Sequence, residues 1–327
     1  MFVAAAAVAL VVAVHAPATT AVVGLVCFGI LHNVLELRYV AGRFAGILSG
    51  TFLRLLLVFI GGIAVCRLLP SGDLSKNAEI LLAYALIAIA CARALRERPV
   101  ALAASLVAVA GACAASLAFP AYHFVVLAHL HNVVPLFFLW EWSNSALAPR
   151  PRLAFRAVQV GWVLLLPAVI LAGGLDFLLR DSPAAVADFG GGTRPHAAQA
   201  LATAYTPPHW LDSAMALRFL AVFAFLQTMH YVVWVWFMPR HAPEASAQFQ
   251  ARVPGFTNRA VLMFGVIGTA LLALVFATDY ASGKTVYSSV ATFHAYLEFP
   301  VLLALILGFE KPAPTPMHLT EKKAALA

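Results

Sequence analysis

Charge is what this chain has least of. Only 11% of its 327 residues are Asp, Glu, Lys or Arg, against roughly 25% in an ordinary soluble domain. A chain so poor in charge cannot clothe a globular surface, which excludes a soluble enzyme. The net charge of +7 does not point to nucleic acid, because its basic residues are scattered between apolar runs, where they mark cytoplasmic loops. Cysteine is also scarce. Cys27, Cys66, Cys91 and Cys113 all fall in apolar runs and none forms a Cys-x-x-Cys pair. That excludes a zinc ribbon and a disulfide framework. The glycine run Gly190-Gly191-Gly192 lies between no strand and helix, so it is not a phosphate loop. No basic residues precede the apolar stretch 2–14, and Pro17 follows the small-residue site at His15-Ala16. Both features argue against a cleaved signal peptide.

What the chain has instead is hydrophobic length: 63% of it is apolar and its mean hydropathy is +0.90. A membrane span needs roughly 20 apolar residues. The runs fall near 2–16, 19–40, 46–69, 77–95, 99–119, 121–142, 155–179, 214–238, 259–279 and 287–309. They predict an all-α, polytopic bundle of about ten transmembrane helices. With both termini cytoplasmic, the inner segments gather Arg38, Arg43, Arg93, Arg96, Arg98, Arg150, Arg152, Arg156, Arg240, Arg252, Arg259, Lys311, Lys322 and Lys323. The outer segments keep only Arg67, Lys76, Arg180, Arg194 and Lys284, as the positive-inside rule requires. The expected location is the inner (plasma) membrane of a bacterium. No repeat or domain boundary interrupts the predicted transmembrane domain, 1–310. An outer loop, 180–213, is long enough to be either a lid or a linker, and the polar stretch 311–327 reads as a disordered cytoplasmic tail.

Within the spans lie His32, Glu36, His129, His131, Glu141, His230, His294 and Glu298. Ionisable residues are expensive in lipid and mark function by default. Two pairs repeat one spacing, His32-Asn-Val-Leu-Glu36 and His294-Ala-Tyr-Leu-Glu298, which stacks an imidazole and a carboxylate one turn apart on the same helix face. The histidines sit on the second, sixth, eighth and tenth spans, which run in one direction, so their depths can be compared at 1.5 Å per residue. Most of the set falls within about 15 Å of depth. His129 and His131 are two residues apart and point to nearly opposite sides of a helix, so they compete for one place unless Pro135 distorts the helix. The predicted metal ligands are therefore His32, His230, His294, one of His129 and His131, and Glu298. Glu36 is a ligand or a neighbour of one, with Arg54 as an alternative ion-pair partner. Glu141, between Trp140 and Trp142, reads as interfacial. Tyr231 and Tyr296 are candidates to act beside the ligands, among the surrounding tyrosines that include Tyr39 and Tyr122. His196 and His209 belong to the long loop.

Imidazole with carboxylate and no thiolate suits non-haem iron, copper or zinc. In lipid, iron with open positions would activate dioxygen beside an apolar substrate, with an electron-donor protein as a possible partner. Histidines spread over several membrane helices give a plan that resembles the Brp/Blh carotene dioxygenases. That resemblance implies an iron oxygenase with a lipid-soluble substrate. It is one of general plan, since His32-Asn-Val-Leu-Glu36 stands here instead of a Pro-His-Gly-x-x-Asp segment. Two other readings use the same residues. Paired histidines on facing helices can hold haem b, as the broad similarity to haem A synthase implies, and a chain of buried histidines and acids can relay protons or metal ions.

Overall fold

A computed structural model describes residues 1–69, 72–179, 201 and 203–307. Among these the chain is 87% helical and contains no strand. The elements are α1 (Phe2–His15), α2 (Pro17–Arg43), α3 (Gly50–Leu68), α4 (Asp73–Ala94) and α5 (Pro99–Ala118). There follow α6 (Pro120–Ala146), α7 (Pro149–Leu171) and α8 (Ala214–His241), then α9 (Pro243–Arg252), α10 (Asn258–Thr278) and α11 (Tyr280–Ile306). Proline opens α2, α5, α6, α7 and α9. That position has no intrahelical N–H bond to lose, and the ring presets the helical φ.

Nine of these helices are long and apolar enough to cross a membrane, so the chain is a helical membrane bundle. The predicted first span is different. It forms a helix of 14 residues, about 21 Å long at 1.5 Å per residue, against a hydrocarbon core of about 30 Å. Only Ala16 separates it from α2. The predicted tail, 311–327, lies outside the described residues, as does 180–200 of the long loop.

Burial separates the helices by role. The central one is α8, in which 72% of the most apolar stretch is enclosed, while α5 buries none of its own. Helix α8 packs on α1, α2, α6 and α7, and α11 packs on α2, α3, α4 and α10. The four histidine-bearing helices therefore form the middle of the bundle, and α5, with no buried residue, sits at its edge.

Two glycines fix how the ends are tied. At Gly42 a Cβ would stand 2.0 Å from the carbonyl oxygen of Ala245, so α9 lies directly on the backbone of α2. Gly42→Ala is expected to lift α9, at a cost of about 1–3 kcal/mol for forced overpacking. Faster proteolytic cleavage within 243–252 would report it, and wild-type protection would show that the contact is slack. At the other end Gly173 has φ +83 and faces the Arg218 guanidinium. Arg218 grips both oxygens of Asp176 and the carbonyl of Leu171, which binds the end of α7 to the start of α8.

Candidate metal centre

The repeated His-x3-Glu spacing works as helix geometry requires. His32 and Glu36 share one face of α2, His294 and Glu298 one face of α11, and both faces turn inward. His32, Glu36, His230, His294 and Glu298 are each at most 1% exposed. Helix α6 adds His131 and α8 adds His230, and one ligand atom from each of the four histidines lies within 4.8 Å of the others.

The hydrogen bonds determine which nitrogens face inward. His32 Nδ1 donates to the carbonyl of Phe28 at 2.9 Å, and His131 Nδ1 donates to Glu298 Oε2 at 2.7 Å. With the proton on Nδ1, each ring carries its lone pair on Nε2. Both of these lone pairs meet His294 Nε2, at 3.2 Å from His32 and 3.0 Å from His131. One proton on His294 can bridge only one of the two contacts. A cation placed among the three nitrogens satisfies all of them. Metal–nitrogen bonds of about 2.0–2.1 Å put neighbouring ligand nitrogens about 2.9 Å apart in an octahedron and about 3.3 Å apart in a tetrahedron. The observed separations match those edges. The two axial nitrogens of a haem would stand about 4 Å apart, with the macrocycle between them, so the spacing suits a bare ion.

His230 completes the ring of imidazoles, 4.5 Å from His131 and 5.1 Å from His32 between centroids. Its Nε2 lies 3.5 Å from Glu36 Oε2. Both His230 nitrogens, His294 Nδ1 and one oxygen of each glutamate make no hydrogen bond of good geometry. Buried polar atoms left so cost about 1–3 kcal/mol each, and several together rival the net stability of a fold, about 5–15 kcal/mol. The two carboxyl groups also approach each other. Four imidazoles and up to two carboxylate charges make a donor set suited to one divalent ion.

Two helix irregularities aim these residues. Pro135 has no N–H for the carbonyl of His131, which instead takes the Val134 N–H at 3.2 Å, and α6 bends there. In α8 a wide π turn, Val232–Phe237, begins just after His230. Pro239 lies two residues beyond it, and its ring clashes with a regular preceding turn. Such turns often occur at functional sites.

Of the two histidines on α6, His131 is the one grouped with His32, His230 and His294. His129 turns away and donates from Nε2 to the carbonyl of Tyr205 at 2.8 Å, so it is not placed with the predicted ligands. Tyr231 lies beside the centre, its ring 4.6 Å from that of His32 and its hydroxyl accepting from Gln227 at 2.8 Å. Tyr296 is elsewhere: its hydroxyl donates to Glu79 Oε1 at 2.6 Å, and Glu79 also receives Arg67 at 2.6 and 3.0 Å. Glu36 faces His230 and Glu298, so the alternative pairing with Arg54 does not form. Glu141 binds Arg43, away from the histidines. His209 lies in the turn Pro208–Trp210, while His196 lies outside the described residues. The Arg67–Glu79–Tyr296 group went unnoticed in the sequence because Glu79 stands two residues inside its apolar run and reads as a boundary residue. Tyr287, which packs over Gly29 in the cavity wall, gave no signal beyond being an aromatic in a span.

The centre opens onto a cavity of about 650 Å³. Its inner end is formed by the four histidines, its walls include Leu25, Phe124, Leu127 and Phe223, and Arg67, Lys76 and Lys284 line it farther out. Ala204 and Tyr205, from the end of the long loop, form part of the wall. His131 is the most open of the four, with 15% of its side chain exposed, so the cavity reaches the centre beside it. Comparison of the chain with protein-family models, with curated proteins and with solved structures finds no match. The functional reading therefore rests on this geometry.

Proposed function

We propose that the chain is a membrane-embedded metalloenzyme, a non-haem iron-dependent oxidoreductase acting on a lipid-soluble substrate. The observation that carries the reading is the approach of His32 Nε2 at 3.2 Å and His131 Nε2 at 3.0 Å to one nitrogen, His294 Nε2, at the inner end of a largely apolar cavity. His32, His131, His230 and His294 are the ligands in this reading. Glu298 orients His131, and Glu36 stands beside His230 as a further ligand or an orienting group. Four nitrogen donors without a thiolate also accept copper or zinc. Iron is preferred because it supplies dioxygen chemistry, which suits a centre placed where both the substrate and dioxygen dissolve.

The protein's own part is to hold and shield. His32 and His131 are fixed by their second nitrogens, as metal-binding histidines generally are. The apolar wall excludes water and places a substrate carbon next to the histidines that line the cavity. Tyr231, with its hydroxyl held by Gln227, is a phenol beside the ligands, its ring 4.6 Å from that of His32. In this reading both termini are cytoplasmic, the cavity mouth faces outward, and electrons come from a separate donor protein.

Metal analysis and an optical spectrum of the purified protein test the reading. About one iron per chain without a Soret band is expected, together with dioxygen uptake on addition of an apolar substrate. A Soret band would establish haem in its place. A full complement of metal-free protein would remove the enzyme reading and leave a relay of protons or ions.

A further inference from the structure

Beside the histidines the cavity wall carries a small polar group that the metal ligands do not use. Gln227, Tyr231 and Tyr287 all line the cavity. Gln227 stands one turn before Tyr231 on α8, so the two side chains share a face. Its Nε2 donates to the Tyr231 hydroxyl at 2.8 Å. Its Oε1 makes no hydrogen bond, with Gln227 itself only 5% exposed. Buried polar atoms are nearly always paired, so an unpaired one calls for a partner. The Tyr287 hydroxyl approaches that of Tyr231. Only one proton can lie between two hydroxyl oxygens, so the other phenol O–H is left to donate elsewhere. Helix α2 makes room for both rings. A Cβ at Gly24 would stand 3.2 Å from the Tyr231 ring, and one at Gly29 would stand 2.7 Å from the Tyr287 ring.

From this we infer that the cavity takes a lipid-soluble alcohol, whose hydroxyl bridges Gln227 Oε1 and the tyrosine pair beside the metal centre. The inference rests on the reading of the chain as a metalloenzyme with a lipid-soluble substrate, and it names the class of that substrate. An alcohol oxygen both donates and accepts, so it can give its proton to Oε1 and take one from a phenol. An ether, ketone or aldehyde only accepts, and a hydrocarbon does neither. One oxygen can reach both partners. The two ends of an amide are about 2.2 Å apart. With 2.8 Å from Nε2 to the Tyr231 oxygen, Oε1 stays within about 5 Å of that oxygen. Two hydrogen bonds through one oxygen span up to about 5.6 Å. Gln227 precedes His230 by three residues on α8, about 4.5 Å along the axis at 1.5 Å per residue. The carbon that bears the hydroxyl therefore lies about one helical turn from the histidines, and the apolar body runs along Leu25, Leu127 and Phe223.

The test uses the full-length protein in phosphatidylcholine nanodiscs, with empty nanodiscs as the reference for partition into lipid. Tritiated 1-dodecanol is the probe. It is competed, at equal membrane mole fraction, by unlabelled 1-dodecanol, by dodecyl methyl ether and by dodecane. The alcohol is expected to compete at least about tenfold better than the ether, the scale of one lost hydrogen bond, and better still than dodecane. Gln227→Met keeps the length of the side chain and removes the acceptor, and it is expected to bring alcohol and ether to one level. Equal competition by alcohol and ether in the wild type would mean that water alone pairs with Oε1, and would overturn the inference. So would a Gln227→Met protein that still prefers the alcohol. If that variant does not fold, the wild-type series decides alone. Metal content is measured on the same samples. Selective binding of the alcohol by a chain that never takes up metal would sink the metal-centre reading alone, whereas a metal-loaded chain that treats alcohol and ether alike would sink this inference alone.

Discussion

Alanine in place of His294 is expected to empty the centre. His294 Nε2 is the atom that both His32 and His131 approach, so its removal takes away the ligand shared by both short contacts. Loss of an orienting group behind a ligand typically costs 10–100-fold in metal affinity, and loss of the ligand itself should exceed that. Metal per chain, measured on protein purified without added metal, should fall from about one to below about a tenth, an estimate scaled from those losses. His129→Ala is the matched control: it removes an imidazole from the same membrane depth, but one bonded to Tyr205 and not to the centre. Wild-type metal in the His294 variant, or loss of metal in the His129 variant, would show that the site has been wrongly located.

The second large effect is expected at Glu298. Its Oε2 accepts the Nδ1 proton of His131 at 2.7 Å, which fixes the tautomer that leaves Nε2 free for a metal. Glu298→Gln keeps the shape and an oxygen acceptor but removes the charge that makes imidazole a better donor. Metal affinity, measured by competition with a chelator, should weaken by about 10–100-fold, or about 1.4–2.7 kcal/mol. Glu298→Leu should do worse, because it leaves the Nδ1–H buried without a partner, at about 1–3 kcal/mol. Unchanged affinity in the glutamine variant would mean that another group orients His131.

The long helices and their apolar faces were legible because lipid imposes one solution on the backbone: every N–H and C=O must bond within its own segment. Hydropathy therefore locates the spans, and nine of the predicted ten appear as helices of sufficient length and apolarity. The tenth, Phe2–His15, falls short because apolar composition predicts burial more securely than it predicts crossing. The site was partly legible for a related reason. His32 with Glu36 and His294 with Glu298 are bound by helix periodicity to share a face, so four of the converging residues could be paired before any packing was known.

Two things could not be read from the sequence. One was which of His129 and His131 turns inward. Periodicity says that they oppose each other, but the rotation of α6 about its axis is set by its neighbours and by the carbonyl that Pro135 leaves free. The other was the role of Tyr296. It shares α11 with His294 but lies two residues on, and only the packing of α11 against α3 and α4 delivers it to Glu79 and Arg67. By itself the sequence determined that the chain is a helical membrane bundle with imidazoles and carboxylates inside it, because the cost of burying polar groups in lipid acts locally and along the helix. The tertiary structure decided which of those groups meet, and which nitrogens they present, because those depend on helix rotation and on hydrogen bonds between residues as far apart in sequence as His131 and Glu298.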